Sequence, residues 1–150
     1  DPDYVGHMID RARDVADLVV YAAPHLMAEE AVFDRDQILI DHGVDLDRFA
    51  AAGRAAREGG LDVPADLAGI SGPRGGFIGG LDAHTFAPEL FLGVAQRLLG
   101  HQFVLLGGSS LPEGWCDLAN VHMLGRKPYE AVAAYQAAMD VLIMPWNDSE

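Results

Sequence analysis

A second cysteine is missing. With Cys116 alone the chain makes no internal disulfide, and a reducing compartment fits. Basic residues are scarce: 10 Lys and Arg against 23 Asp and Glu leave a formal charge of −13. Such a surface repels nucleic acid and anionic membranes over most of its area, while leaving room for one small basic site. Long apolar runs are also missing. The longest, LVVYAAP and FVLLGG, fall far short of the roughly 20 residues a membrane span needs. The opening DPDYVGHMIDRARD carries acids and no apolar h-region, so it does not read as a signal peptide. Lacking an initiator methionine, it reads as a fragment boundary. There is no GxGxxG fingerprint, no Walker A loop, and no GxSxG elbow around Ser109. His7, His25, His42, His84, His101 and His122 show no i, i+4 pairing and no neighbouring cysteine cluster, so no metal is expected.

What is present is globular: half of the residues are hydrophobic, and 150 residues suffice for one ordinary core. Val5, Met8, Ile9, Ala12 and Val15 recur at helical spacing and predict a helix over 4–16. LVVYA then reads as a buried strand, Pro24 opens a short helix through HLMAEEAV, and QILID (37–41) is the next strand. LDRFAAAGRAAR is helix-like. Residues 58–73 are rich in Gly and Pro without a sustained period, and are expected to be a linker.

A regular rhythm follows. GGFIGG, FVLLGG, NVHMLG and DVLIMPW read as strands. A helical stripe behind Pro88 (Leu90, Phe91, Val94, Ala95, Leu98, Leu99) and a helix starting near Pro128 fall between them. Strands separated by helices predict an α/β fold with a parallel, Rossmann-like sheet. The domains expected are 1–57 (the end of a first domain and a crossing segment), the linker 58–73, and 74–150 (the first part of a second domain).

Ligands of open parallel sheets bind beyond the carboxyl ends of the strands. Four such ends are expected to share one edge: Gly79-Gly80-Leu81-Asp82, Gly107-Gly108-Ser109-Ser110, Gly125-Arg126-Lys127-Pro128-Tyr129, and Trp146-Asn147-Asp148. Glycines there let a phosphate approach backbone N–H groups, and Arg126 supplies positive charge in an acidic protein. Taken singly, each loop also reads as an ordinary turn or solvated surface. Their convergence on one edge is the functional signal. No complete nucleophile–base–acid set is visible, and Cys116 beside Trp115 reads as a small buried filler.

Over nearly its whole length the chain resembles the family-4-like retaining glycosyltransferases of the GT-B fold, in the branch associated with bacterial exopolysaccharide and the cell envelope. ADLVVYAAPHL resembles the last strand–helix step of that family's N-terminal domain, and ILIDHGVDLDRF its crossing into the second domain. GGFIGGLDAHTFAPELF, FVLLGG and NVHMLGRKPYEAVAAYQAAMDVLIMPW resemble the successive units of the C-terminal domain. The resemblance implies transfer of a sugar from a UDP- or GDP-linked donor to a saccharide or lipid-linked acceptor, without a further cofactor. It implies a cytoplasmic setting and leaves peripheral membrane association of the full enzyme open. It places Gly79, Gly80, Asp82 and Thr85 near the diphosphate, Gly107, Gly108, Gly125 and Arg126 near the nucleoside, and Tyr129 at the start of the following helix. The chain departs from the family in carrying Gly80 and Phe86 where many relatives have Arg and Lys, and Asp41-His42 for Pro-Asn. The family's donor-gripping helix would follow residue 150 and its acceptor-binding region would precede residue 1. The chain alone is therefore expected to turn nothing over. A sugar-nucleotide epimerase of the same fold, a receiver-type module, and a non-catalytic nucleotide-binding or structural domain are the alternatives.

Overall fold

The computed structural model of the chain describes residues 2–29 and 35–147. It divides into two compact units, Asp1–Val44 and Asp45–Glu150. The crossing helix over 46–57 thus belongs to the second unit.

The first unit holds α1 (Pro2–Val15), β1 (Leu18–Tyr21), α2 (Pro24–Glu29) and β2 (Asp36–Leu39). β1 and β2 pair in parallel, Leu18 opposite Asp36 through Tyr21 opposite Leu39. LVVYA was expected to be buried, yet only Tyr21 of β1 is; Leu18 and Val20 are exposed. A two-stranded sheet has too little area to bury both faces of its strands. The expected continuation of α2 into residues 30–32 lies outside the described residues.

The second unit runs α3 (Leu46–Arg57), α4 (Ala65–Ala68), β3 (Arg74–Ile78), α5 (Pro88–Arg97), β4 (Gln102–Leu106), β5 (Val121–Gly125), α6 (Tyr129–Ala137) and β6 (Val141–Leu142). Asp45 starts α3 by accepting the Arg48 N–H at 3.1 Å, a side-chain N-cap. Pro88 starts α5, where its missing N–H and fixed φ cost nothing. All strand pairs are parallel, in the order β5-β4-β3-β6. The chain therefore moves outward from β3 through β4 to β5, then returns to lay β6 on the other side of β3. That is the strand order of half a doubly wound sheet, with its switch point between β3 and β6.

Period-two alternation splits the core. Phe103 and Leu105 of β4 face a cluster with Phe77, Leu81, Phe86, Phe91 and Ala95, under α5. Val104 and Leu106 face the other way, against Tyr135 of α6 and Leu67 of α4. Both faces are covered, which is why FVLL is continuously apolar. The stretch 58–73, expected to be a linker, carries α4 and a fully buried Leu67. Its Gly and Pro residues shape turns around that one anchoring side chain. Buried Asn120 closes the end of α5, its Nδ2 donating to the carbonyls of Ala95 (3.1 Å) and His101 (3.1 Å).

Candidate functional site

The loops after β3, β4 and β5 meet at one edge because the parallel ladder continues past the strands. Gly79 N–H donates to Leu106 O (2.9 Å), Leu81 N–H to Gly108 O (2.9 Å), and Ser110 N–H to Leu81 O (3.0 Å). Gly107 N–H donates to Gly125 O at 3.0 Å. These backbones are so close that a Cβ on Gly107, whose φ is +147°, would lie 1.7 Å from Gly79 O. Only glycine fits there. Gly125 also has a positive φ, +70°, and lets the chain turn from β5 toward Arg126.

Two hollows open along this edge. One, of about 350 Å³, is lined by Ile78, Gly79, Gly80, Gly107, Gly108 and Arg126, among others. The second, of about 400 Å³, lies at the switch point, between Gly79-Gly80 and Thr85 on one side and Leu142, Met144 and Trp146 on the other. Both fall within the size range of small-molecule sites. The Gly79-Gly80 backbone is shared by the two.

The side chains divide. Asp82 turns onto its own loop, accepting from Thr85 N–H, Thr85 Oγ1–H and His84 N–H, each at 3.0 Å. Those bonds, Thr85's foremost, hold its carboxyl below the usual carboxylate range. The Thr85 hydroxyl is thus donated to Asp82, although Thr85 still lines the switch-point hollow. Asn147 pins the same loop from outside, its Nδ2 donating to Ala83 O (2.6 Å) and Phe86 O (3.0 Å). Asp148 of the fourth expected loop lies outside the described residues. Tyr129 leans away onto α3, its ring 6.3 Å from that of Phe49 and 5.5 Å from the Arg48 guanidinium. It touches α3 while staying about half exposed.

Arg126 and Lys127, adjacent in sequence, do different things. Lys127 Nζ pairs with Asp66 at 2.6 Å, and Tyr135 Oη donates to the same carboxylate at 2.6 Å. The lysine bond first, and the tyrosine bond second, hold Asp66 below its usual range, and Asp66 in turn raises Lys127. Tyr135 is raised, chiefly by burial. This triad ties α4 to α6 and to the loop that precedes it. Sequence reasoning missed it, because Asp66 and Lys127 are 61 residues apart and share no period. Both line the glycine-lined hollow, but the Lys127 charge is already met by Asp66, whereas Arg126 makes no ion pair among the described residues.

Among the described residues no group of three or more His, Cys, Asp or Glu is placed to hold a metal ion, and no helix is long and apolar enough to cross a membrane. No family model matches the chain, and no curated protein matches it.

Proposed function

We propose that this chain is part of a GT-B-type glycosyltransferase, and that the glycine edge of its second unit receives the nucleoside diphosphate of a UDP- or GDP-linked sugar. One observation carries the reading. Gly79-Gly80, Gly107-Gly108 and Arg126 line a single hollow at the carboxyl ends of parallel strands, next to the switch point. Backbone amides and a guanidinium are the groups a diphosphate needs. Gly79 and Gly107 N–H are spent on the ladder, so the amides on offer are those of Gly80 and Gly108, which donate no hydrogen bond among the described residues. The chemical logic is stabilisation of the leaving diphosphate while positive charge develops on the sugar. The acceptor is a saccharide or a lipid-linked saccharide, and the setting is cytoplasmic, in keeping with the single thiol. An epimerase of the same fold is less well supported. It needs acid and base groups free at this edge, and Asp82, the acid nearest the end of β3, is committed to its own turn.

The test uses the longest native chain containing these residues, incubated with a panel of UDP- and GDP-sugars and followed by mass spectrometry. Release of nucleoside diphosphate with sugar transfer or hydrolysis is expected for one donor. Interconversion of the sugar without release would favour the epimerase, and inertness toward the whole panel would sink the enzymatic reading.

A further inference from the structure

We infer that Arg126 is the phosphate anchor of the hollow, and that Gly108 is glycine so that the guanidinium can lie across it. The inference deepens the reading above and rests on it for the nucleoside, whereas the anion site stands on its own observations.

The first observation concerns charge. The expected ligand loops bring two cations to this edge, Arg126 and Lys127. Lys127 is taken up by Asp66 and sits over the Tyr135 ring. Arg126 makes no ion pair or hydrogen bond among the described residues. In a chain with 23 acids and 10 bases, a guanidinium that meets no carboxylate among the described residues is conspicuous. Asp82, the acid of the neighbouring loop, does not compete for it, being occupied by three donors of its own turn.

The second observation is steric. A Cβ on Gly108 would stand 2.6 Å from Arg126 Nε, 2.9 Å from an Nη and 3.1 Å from Cζ. The guanidinium therefore occupies the space that any other residue at 108 would fill. It is laid against backbone at the wall of the hollow that Gly79, Gly80 and Gly107 also line. A planar fork of N–H donors beside open backbone matches the oxygens of a phosphate or diphosphate. It does so without the Arg and Lys that the resembling family carries where this chain has Gly80 and Phe86.

The experiment titrates the chain separately with sodium pyrophosphate, UDP and uridine, by calorimetry and amide NMR shifts. It compares the wild type with Arg126→Gln, Arg126→Lys and Gly108→Ala. Pyrophosphate and UDP are expected to bind, and to weaken about tenfold in Arg126→Gln, as loss of a charge-assisted bond implies. Arg126→Lys should recover only part of this, because a point charge replaces the fork. Gly108→Ala should weaken both ligands with an unchanged melting temperature, since only a movable side-chain end must yield. Rising salt should weaken the wild type more than Arg126→Gln.

Pyrophosphate bound equally well by Arg126→Gln overturns the inference, whatever UDP does. Uridine binding with no pyrophosphate binding also overturns it, and leaves the nucleotide reading standing. Pyrophosphate bound through Arg126 while UDP and uridine fail supports the anion site and sinks the nucleotide reading. No binding of any of the three at millimolar concentration overturns both.

Discussion

Gly107→Ala is expected to destabilise the second unit by about 3 kcal/mol or more, a large share of the roughly 5–15 kcal/mol that holds a typical domain together. Two costs add. The backbone at 107 has a φ of +147°, which L side chains rarely adopt and which costs about 1–3 kcal/mol without glycine. The new Cβ would also stand 1.7 Å from Gly79 O, so the loops after β3 and β4 would have to separate. Separation breaks the Gly79–Leu106 and Leu81–Gly108 hydrogen bonds that hold the edge closed. Gly100→Ala is the control: its Cβ meets nothing within 4 Å. It should change stability by no more than about 0.5 kcal/mol. Urea denaturation of the two variants measures the difference. A Gly107→Ala midpoint equal to that of the wild type would show that the loops do not approach as described.

Phe86→Lys should be costlier still. The substitution tests whether position 86 could hold a cation, and the physical setting rejects one. Phe86 is fully buried, and its ring lies 5.0 Å from Phe77, 5.5 Å from Phe91 and 5.8 Å from Trp115. An ammonium there has no partner and loses its water, while the aromatic cluster loses its central ring. A loss of about 4–5 kcal/mol or more is expected, enough to prevent cooperative folding near room temperature. Phe86→Leu, which keeps an apolar side chain, should cost about 1–2 kcal/mol and still fold. Thermal unfolding followed by far-UV circular dichroism separates these cases. A lysine variant that melts like the wild type would mean that residue 86 faces solvent and that the 82–87 loop is packed differently.

The glycine edge was legible in the sequence for a topological reason. Strand–helix alternation from residue 74 onward implies parallel strands, and parallel strands must end on the same side. The convergence of Gly79-Gly80, Gly107-Gly108 and Gly125-Arg126 therefore followed without knowledge of any contact. Helix α3 was legible to the residue because the pattern starts after a capping Asp45. The rest depended on contacts that no period encodes. DVLIMPW read as a full strand, yet only Val141 and Leu142 form the β6 ladder; Pro145 and the pairing of Trp146 with Phe86 take the chain elsewhere. Leu67 was hidden by the Gly and Pro residues around it. Lys127 and Arg126 looked alike as neighbours, and only the distant Asp66 distinguishes them. Thr85 lies in the loop after β3 and Tyr129 opens α6, but the partners of their side chains, Asp82 and the α3 surface, were not visible in the sequence.

The central claim is that the glycine edge binds a nucleoside diphosphate, and the most direct measurement is an amide NMR titration of the chain with UDP and with GDP. The account predicts saturable shifts for one of the two nucleotides at Gly79, Gly80, Gly107, Gly108 and Gly125. The amides of α1 and β2 in the first unit should stay in place. A well-folded sample whose glycine amides do not move with either nucleotide, or whose shifts saturate elsewhere, would contradict it.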